Sequence, residues 1–157
     1  LRCLVGSEMC IRDRLDSDLQ GKALLDMGCG TSILAILARM RGASPCTAID
    51  IDEWCVRNSL ENIELNGVDN IAVSQGDASS LESKGPFDMV IANINRNILT
   101  MDMPAYAEAL DTGGDLLMSG FLEEDVPVIE ARARACGLDP IEVRMRDGWA
   151  MVHVKKA

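Results

Sequence analysis

Four side chains, each at the end of a short apolar run, are of the types that do chemistry: Asp26, Asp50, Asp77 and Asn93. The first belongs to Leu24-Leu25-Asp26-Met27-Gly28-Cys29-Gly30-Thr31-Ser32-Ile33-Leu34, an apolar strand, a carboxylate, two glycines one apart and the start of a helix. With no Cβ, Gly28 and Gly30 let the chain turn sharply and bring backbone N–H groups close to a ligand. A dinucleotide fingerprint places a third glycine three residues on, and here that position is Ile33. Asp26 would repel a pyrophosphate but could hold the ammonium of an amino-acid-like nucleoside cofactor, directly or through water; alternatively it hydrogen-bonds only its own turn.

Asp50 follows Gly28 by about 22 residues, the distance at which a βαβ nucleoside site places the carboxylate that accepts from both ribose hydroxyls. Asp52 reads as the cap of the next helix, although the two roles could be exchanged. Asp77 ends a third strand and could accept from an adenine amino group, or serve as a cap or Asx-turn. Asn93 ends the fourth strand. Its carbonyl could accept from an attacking amine and aim the lone pair at a methyl carbon; the alternative is a helix cap. S-adenosylmethionine combines the ammonium, ribose, adenine and methyl that these residues would meet.

Composition narrows the field. The 157 residues suit one domain with a substantial core. A net charge of −10 disfavours direct nucleic-acid binding. The six cysteines form no C-x-x-C pair and read as free thiols in a reducing cytosol. A lone His153, in an alternating run, is expected to be structural or at the surface, not a catalytic base. No run is long enough to span a membrane and no secretion signal is evident, so a cytoplasmic location is expected.

The elements that must position the four residues alternate. Strands are expected at 23–27, 46–51, 71–75, 87–92 and 115–119. Helices are expected from Thr31 or Ser32 to before Gly42, at 53–66, at 98–111 with a break or start near Pro104, and at 123–136. Asp147-Gly148 between alternating runs predicts a closing hairpin, with strands at 141–146 and 149–155. Leu1–Arg14 shows neither period, and its run from Leu4 to Arg14 resembles a translated sequencing adapter. It is expected to be a non-native or disordered tail, leaving 15–157 as the domain.

From Leu15 onward the sequence resembles class I S-adenosylmethionine-dependent methyltransferases, and more narrowly the PrmA family, which methylates ribosomal protein L11. The residues carrying this are Leu25–Ile36, Ala48–Asp52, Asn62, Asn66–Val68, Gly76-Asp77, Phe87–Ile94, Gly113-Gly114, Ser119–Phe121 and Trp149. The resemblance implies an α/β, Rossmann-like, doubly wound seven-stranded sheet, mostly parallel with an antiparallel C-terminal hairpin strand. It implies S-adenosyl-L-methionine held by Asp26, Gly28, Gly30, Asp50 and Asp77, with Asn93 beside the transferred methyl. The implied reaction is N-methylation of lysine side chains and the N-terminal amine of L11. Other class I substrates (a protein glutamine, a small amine, an RNA base) and a non-catalytic cofactor-binding module are the alternatives. The family often has Ser-Gly where this chain has Thr31-Ser32. It also carries an N-terminal substrate-recognition domain, a linker and a Gly/His/Thr-containing cover segment, which are not found in this sequence; weak cofactor binding and loss of methylation are therefore expected.

Overall fold

The computed structural model describes residues 7–157. Its strands are β1 (Leu24–Met27), β2 (Cys46–Asp50), β3 (Ile71–Gln75), β4 (Phe87–Asn93), β5 (Leu110–Leu122), β6 (Leu138–Arg146) and β7 (Trp149–Lys156). They form one sheet in the order β3-β2-β1-β4-β5-β7-β6. The first five are mutually parallel, whereas β7 runs antiparallel to both β5 and β6. The helices are α1 (Ser7–Arg14), α2 (Ile33–Met40), α3 (Glu53–Leu65), α4 (Arg96–Ala109) and α5 (Val126–Ala135). This is the doubly wound α/β sheet expected, closed by the reversed strand.

Alternation along the central strands builds a core on each face. Leu25, Met27, Val90, Ala92, Leu116 and Met118 point to one side, where Leu99, Met103, Tyr106 and Ile129 of α4 and α5 cover them. Leu24, Met89, Ile91 and Leu117 point to the other and meet Leu34 and Ala38 of α2. The hairpin turn at Asp147-Gly148 has positive φ at both residues (54° and 82°), as a two-residue type I′ connection requires. His153 is buried, with Nε2 2.7 Å from Asp115 Oδ1, and is structural. Hydrogen bonds from His153 and Lys155 keep the Asp115 carboxyl below its usual range, although burial alone would raise it.

Three expectations are corrected. Within the expected tail, Leu1–Gly6 lies outside the described residues, but Ser7–Arg14 is a helix against β5, β6 and β7, with Cys10 and Ile11 buried. Ile11, Leu15 and Leu19 enter the core at four-residue intervals; one helical turn of that pattern is too short to register as a period. The helix expected to break at Pro104 instead runs through it. Proline cannot donate to the Thr100 carbonyl four residues back, and Arg132 Nε donates to that oxygen instead, at 2.9 Å. Finally, β5 is longer at both ends than 115–119, with register shifts in the pairing of β4 with β5 and of β5 with β7.

Candidate active site

The chain leaves β1 on one side and returns through β4 on the other, so the crevice for a ligand opens at the carboxyl ends of these two strands. Gly28 turns the chain there at φ +69°, and its N–H donates to the Ile49 carbonyl at 2.8 Å. A Cβ at this position would lie 2.8 Å from Ile94 Cγ1, so the glycine is needed for space as well as for conformation. Ser32, in the place where the resembling family often has glycine, adopts φ +61°. Its hydroxyl donates to Ser59 Oγ (2.7 Å), which donates in turn to the Gly30 carbonyl (2.8 Å). The strained turn is thereby fastened to α3.

Asp50 is held at both oxygens. Gly30 N–H donates to Oδ2 and Asp52 N–H to Oδ1, each at 2.9 Å. Both oxygens keep a lone pair for further donors. Asp52 caps α3 by accepting from Trp54 N–H, the role expected of it. Asp77 accepts at Oδ1 from Ser79 N–H (2.9 Å) and Ser79 Oγ (2.5 Å), capping a 3₁₀ turn over Ala78–Ser83. These bonds hold its carboxyl below the usual range. The expected cap thus exists, yet Asp77 also faces the crevice.

Gly28, Asp50, Asp77 and Asn93 line one cavity of about 550 Å³, with Met27, Ile51 and Ala78 among its apolar walls. Asp26 and Gly30 do not line it. Gly30 acts through its bond to Asp50. Asp26 is 2% exposed, and its Oδ2 has no hydrogen-bond partner among the described residues. Burial, reinforced by the charges of Asp50 and Glu8 and only partly offset by a backbone hydrogen bond at Ala35, pushes its carboxyl up to about 7. A buried carboxylate with an unpartnered oxygen is a place where a cation would be strongly stabilised.

Asn93 does not cap a helix; Asn95 does, accepting from Ile98 N–H at 3.1 Å. The Asn93 carbonyl accepts from Ser119 Oγ (3.0 Å), and its amide donates to Glu8 Oε1 (2.7 Å). Gly120, at φ +94°, brings the end of β5 onto this loop, where a Cβ would lie 2.7 Å from the Ile94 carbonyl and 3.0 Å from Asn93 Oδ1. Sequence reasoning noted Ser119-Gly120 only as part of a family likeness and missed their contact with Asn93. The signal was a Ser-Gly at the end of the strand next to β4. Glu8, in the segment set aside as a tail, carried no such signal.

The sequence model of the family described as "Ribosomal protein L11 methyltransferase (PrmA)" matches residues 6–157. A curated relative, the ribosomal protein L11 methyltransferase of Bacteroides fragilis, is 64% identical over 146 residues, covering 93% of this chain and 52% of the relative. The chain therefore spans about half the length of such relatives. The crystal structure of ribosomal protein L11 methylase from Lactobacillus delbrueckii subsp. bulgaricus superimposes with a TM-score of 0.85 at 26% identity, over 95% of this chain and 77% of that one. Magnesium protoporphyrin IX methyltransferase from Synechocystis with bound SAM shares the fold, with a TM-score of 0.77 at 18% identity over 95% of this chain and 77% of that one. A match across nearly the whole chain, together with a doubly wound sheet whose glycine turn, carboxylates and Asn93 meet at one crevice, shows that the chain belongs to the ribosomal protein L11 methyltransferase (PrmA) family.

Proposed function

We propose that this chain is the methyl-transferring domain of an S-adenosylmethionine-dependent protein N-methyltransferase whose substrate is ribosomal protein L11, modified at lysine side chains and the N-terminal amine. The observation that carries this is the single cavity shared by Gly28, Asp50, Asp77 and Asn93 in a chain of this family. The residues fit the cofactor. Asp50, fixed by two backbone donors, keeps lone pairs for two ribose hydroxyls, and Asp77 keeps Oδ2 for an exocyclic amine. The apolar walls suit a purine, and the volume is that of a small-molecule site. Asp26, buried with an unpartnered oxygen, would balance the ammonium, with a water bridging the turn between them. Gly28 provides the close backbone approach, and Gly30 acts through Asp50.

S-adenosylmethionine would supply an electrophilic sulfonium methyl there; a neutral amine would take it as the carbon–sulfur bond breaks, the sulfur keeping the bonding pair and the amine's proton passing to solvent water. Asn93 is the proposed catalytic residue. Ser119 takes one lone pair of its carbonyl, leaving the second to accept from the amine N–H and aim the nitrogen. A lysine amine, ordinarily protonated at neutral pH, must be desolvated to react. Orientation by Asn93 and desolvation by the apolar walls are proposed to do most of the work.

Calorimetric titration of the chain with S-adenosylmethionine, with NAD as control, tests the reading. Binding of the former alone is expected; binding of NAD alone overturns it. In the longer protein that carries this domain, Asn93→Ala is expected to keep cofactor affinity and lose turnover on L11 by about 100-fold, in the range for removal of a positioning contact at the reacting centre. Unchanged turnover would remove Asn93 from the chemistry.

A further inference from the structure

Beside the cofactor cavity, across the loop 93–95, lies a second cleft of about 460 Å³. Its lining includes Asn95, Gly120, Phe121, Leu122, Glu124 and Trp149. Two features make it more than a surface dip. Trp149 and Leu122, paired across β7 and β5, are large apolar side chains left 42% and 41% exposed on its walls. Gly120 has no side chain, and a Cβ there would already be 3.0 Å from Asn93 Oδ1, so the cleft wall at this point lies directly against the amide proposed to orient the nucleophile.

The rim is built firmly. Arg96 Nη1 pairs with Asp125 Oδ1 at 3.0 Å, joining the start of α4 to the turn after β5. Asp125 Oδ2 accepts from Leu122 N–H at 3.2 Å, and Glu123 N–H donates to the Gly148 carbonyl at 3.0 Å. Among the residues lining the cleft, Glu124 and Asp125 face one guanidinium, that of Arg96, which pairs with Asp125, so Glu124 leaves the rim with net negative charge. Exposed aromatic and aliphatic walls beneath a carboxylate rim match the two halves of a lysine side chain: methylenes against Trp149 and Leu122, and ammonium against Glu124 or over the indole face.

We propose that this cleft is the docking surface for the acceptor polypeptide, receiving a lysine-bearing extended segment next to the amine being modified, with Trp149 and Glu124 as its specificity-determining residues. The inference rests on the reading of the chain as a protein N-methyltransferase. It deepens that reading by placing the acceptor on the Trp149 side of Asn93 and the cofactor on the Asp50 side. Continuity with the proposed transfer site and opposite charge both favour a basic protein segment over any other occupant.

The two tryptophans provide the test, because Trp54 lies on α3, 5.3 Å from the Arg57 guanidinium and outside the cleft lining. The 15N-labelled chain is titrated with purified ribosomal protein L11, the two indole N–H resonances are followed, and S-adenosylmethionine binding is measured on the same sample. A saturable shift of Trp149 with Trp54 unmoved, weakened at least tenfold by Glu124→Lys, is the expected result. An unmoved Trp149, or an affinity indifferent to Glu124→Lys, overturns the docking surface even if the cofactor binds. A shift produced equally well by oligouridylate overturns it in favour of RNA. If L11 shifts Trp149 but the cofactor fails to bind even at millimolar concentration, the cleft is a binding surface for L11 but not an acceptor site, and the methyl-transfer reading is what falls.

Discussion

The two halves of the sheet's ligand-binding edge are built differently. On the side of β1, β2 and β3, carboxylates are held by main-chain donors: Asp50 by the N–H groups of Gly30 and Asp52, Asp77 by that of Ser79. On the side of β4 and β5, Asn93 is held by side chains from distant segments, Ser119 and Glu8, and by the absence of a side chain at Gly120. Main-chain donors come with the turn and are difficult to lose by substitution. Side-chain partners can be changed singly. The first half is therefore suited to an invariant cofactor, and the second to an acceptor whose identity can be tuned.

The largest expected effect lies at the joint of the second half. Gly120→Val places a branched side chain at positive φ against two backbone atoms of Ile94, and a loss of roughly 5 kcal/mol in unfolding free energy is expected from strain and overpacking together. Denaturant titration reads this. A near-native midpoint would mean that the β4–β5 loops are loosely packed and that the contrast between the halves is wrong.

Next in size is Asp26. Its folded-state carboxyl, at about 7, sits above the unfolded value near 3.8, so the folded chain binds the proton more tightly. The associated stability is full below about pH 3.8 and is lost as pH rises through 7. Asp26→Asn removes that loss. The variant is expected to match the parent near pH 3.5 and to exceed it at pH 8 by about 4 kcal/mol at most, since one pKa unit corresponds to ~1.4 kcal/mol. A difference that stays flat across this window would show that Asp26 is solvated, and its proposed partnership with an ammonium would go with it.

Two smaller effects separate affinity from turnover. Asp50→Ala removes the two proposed hydroxyl contacts and frees the Gly30 N–H; cofactor affinity is expected to fall about 100-fold, or ~2.7 kcal/mol. In the longer protein that carries this domain, Ser119→Ala leaves the cofactor side intact and is expected to lower kcat on L11 about fivefold, or ~1 kcal/mol, by freeing the Asn93 amide to rotate. If Asp50→Ala changed kcat alone, or Ser119→Ala changed only cofactor affinity, the division between the halves would not stand.

The same division explains what could be read from sequence. The half proposed for the cofactor is local: a strand, a glycine turn, a helix and a carboxylate at fixed spacing, so the arrival of Gly28, Asp50 and Asp77 at one crevice was legible, as was the hairpin from Asp147-Gly148. The half proposed for the acceptor depends on contacts between residues far apart in sequence, such as Ser119 with Asn93 and Glu8 with Asn93, which no local period signals. The unbroken α4 shows the same limit, because the donor that satisfies the Thr100 carbonyl is Arg132 of another helix. The Ser7–Arg14 helix was illegible because its inward face amounts to Cys10 and Ile11, too few residues to establish a repeat.

The strand order also governs how the molecule comes together. β6 and β7 are joined by two residues and can zip from their turn, whereas β1 and β4 pair Leu24 with Met89, 65 residues apart in the chain. Closing so long a loop costs chain entropy before any contact rewards it, so the β1–β4 seam is expected to form late and the C-terminal hairpin early. The crevice proposed to bind the nucleoside opens at that seam. Competence for the ligand would then arrive as one of the last events of refolding, and a refolding chain would not be trapped by the cofactor in a half-built sheet.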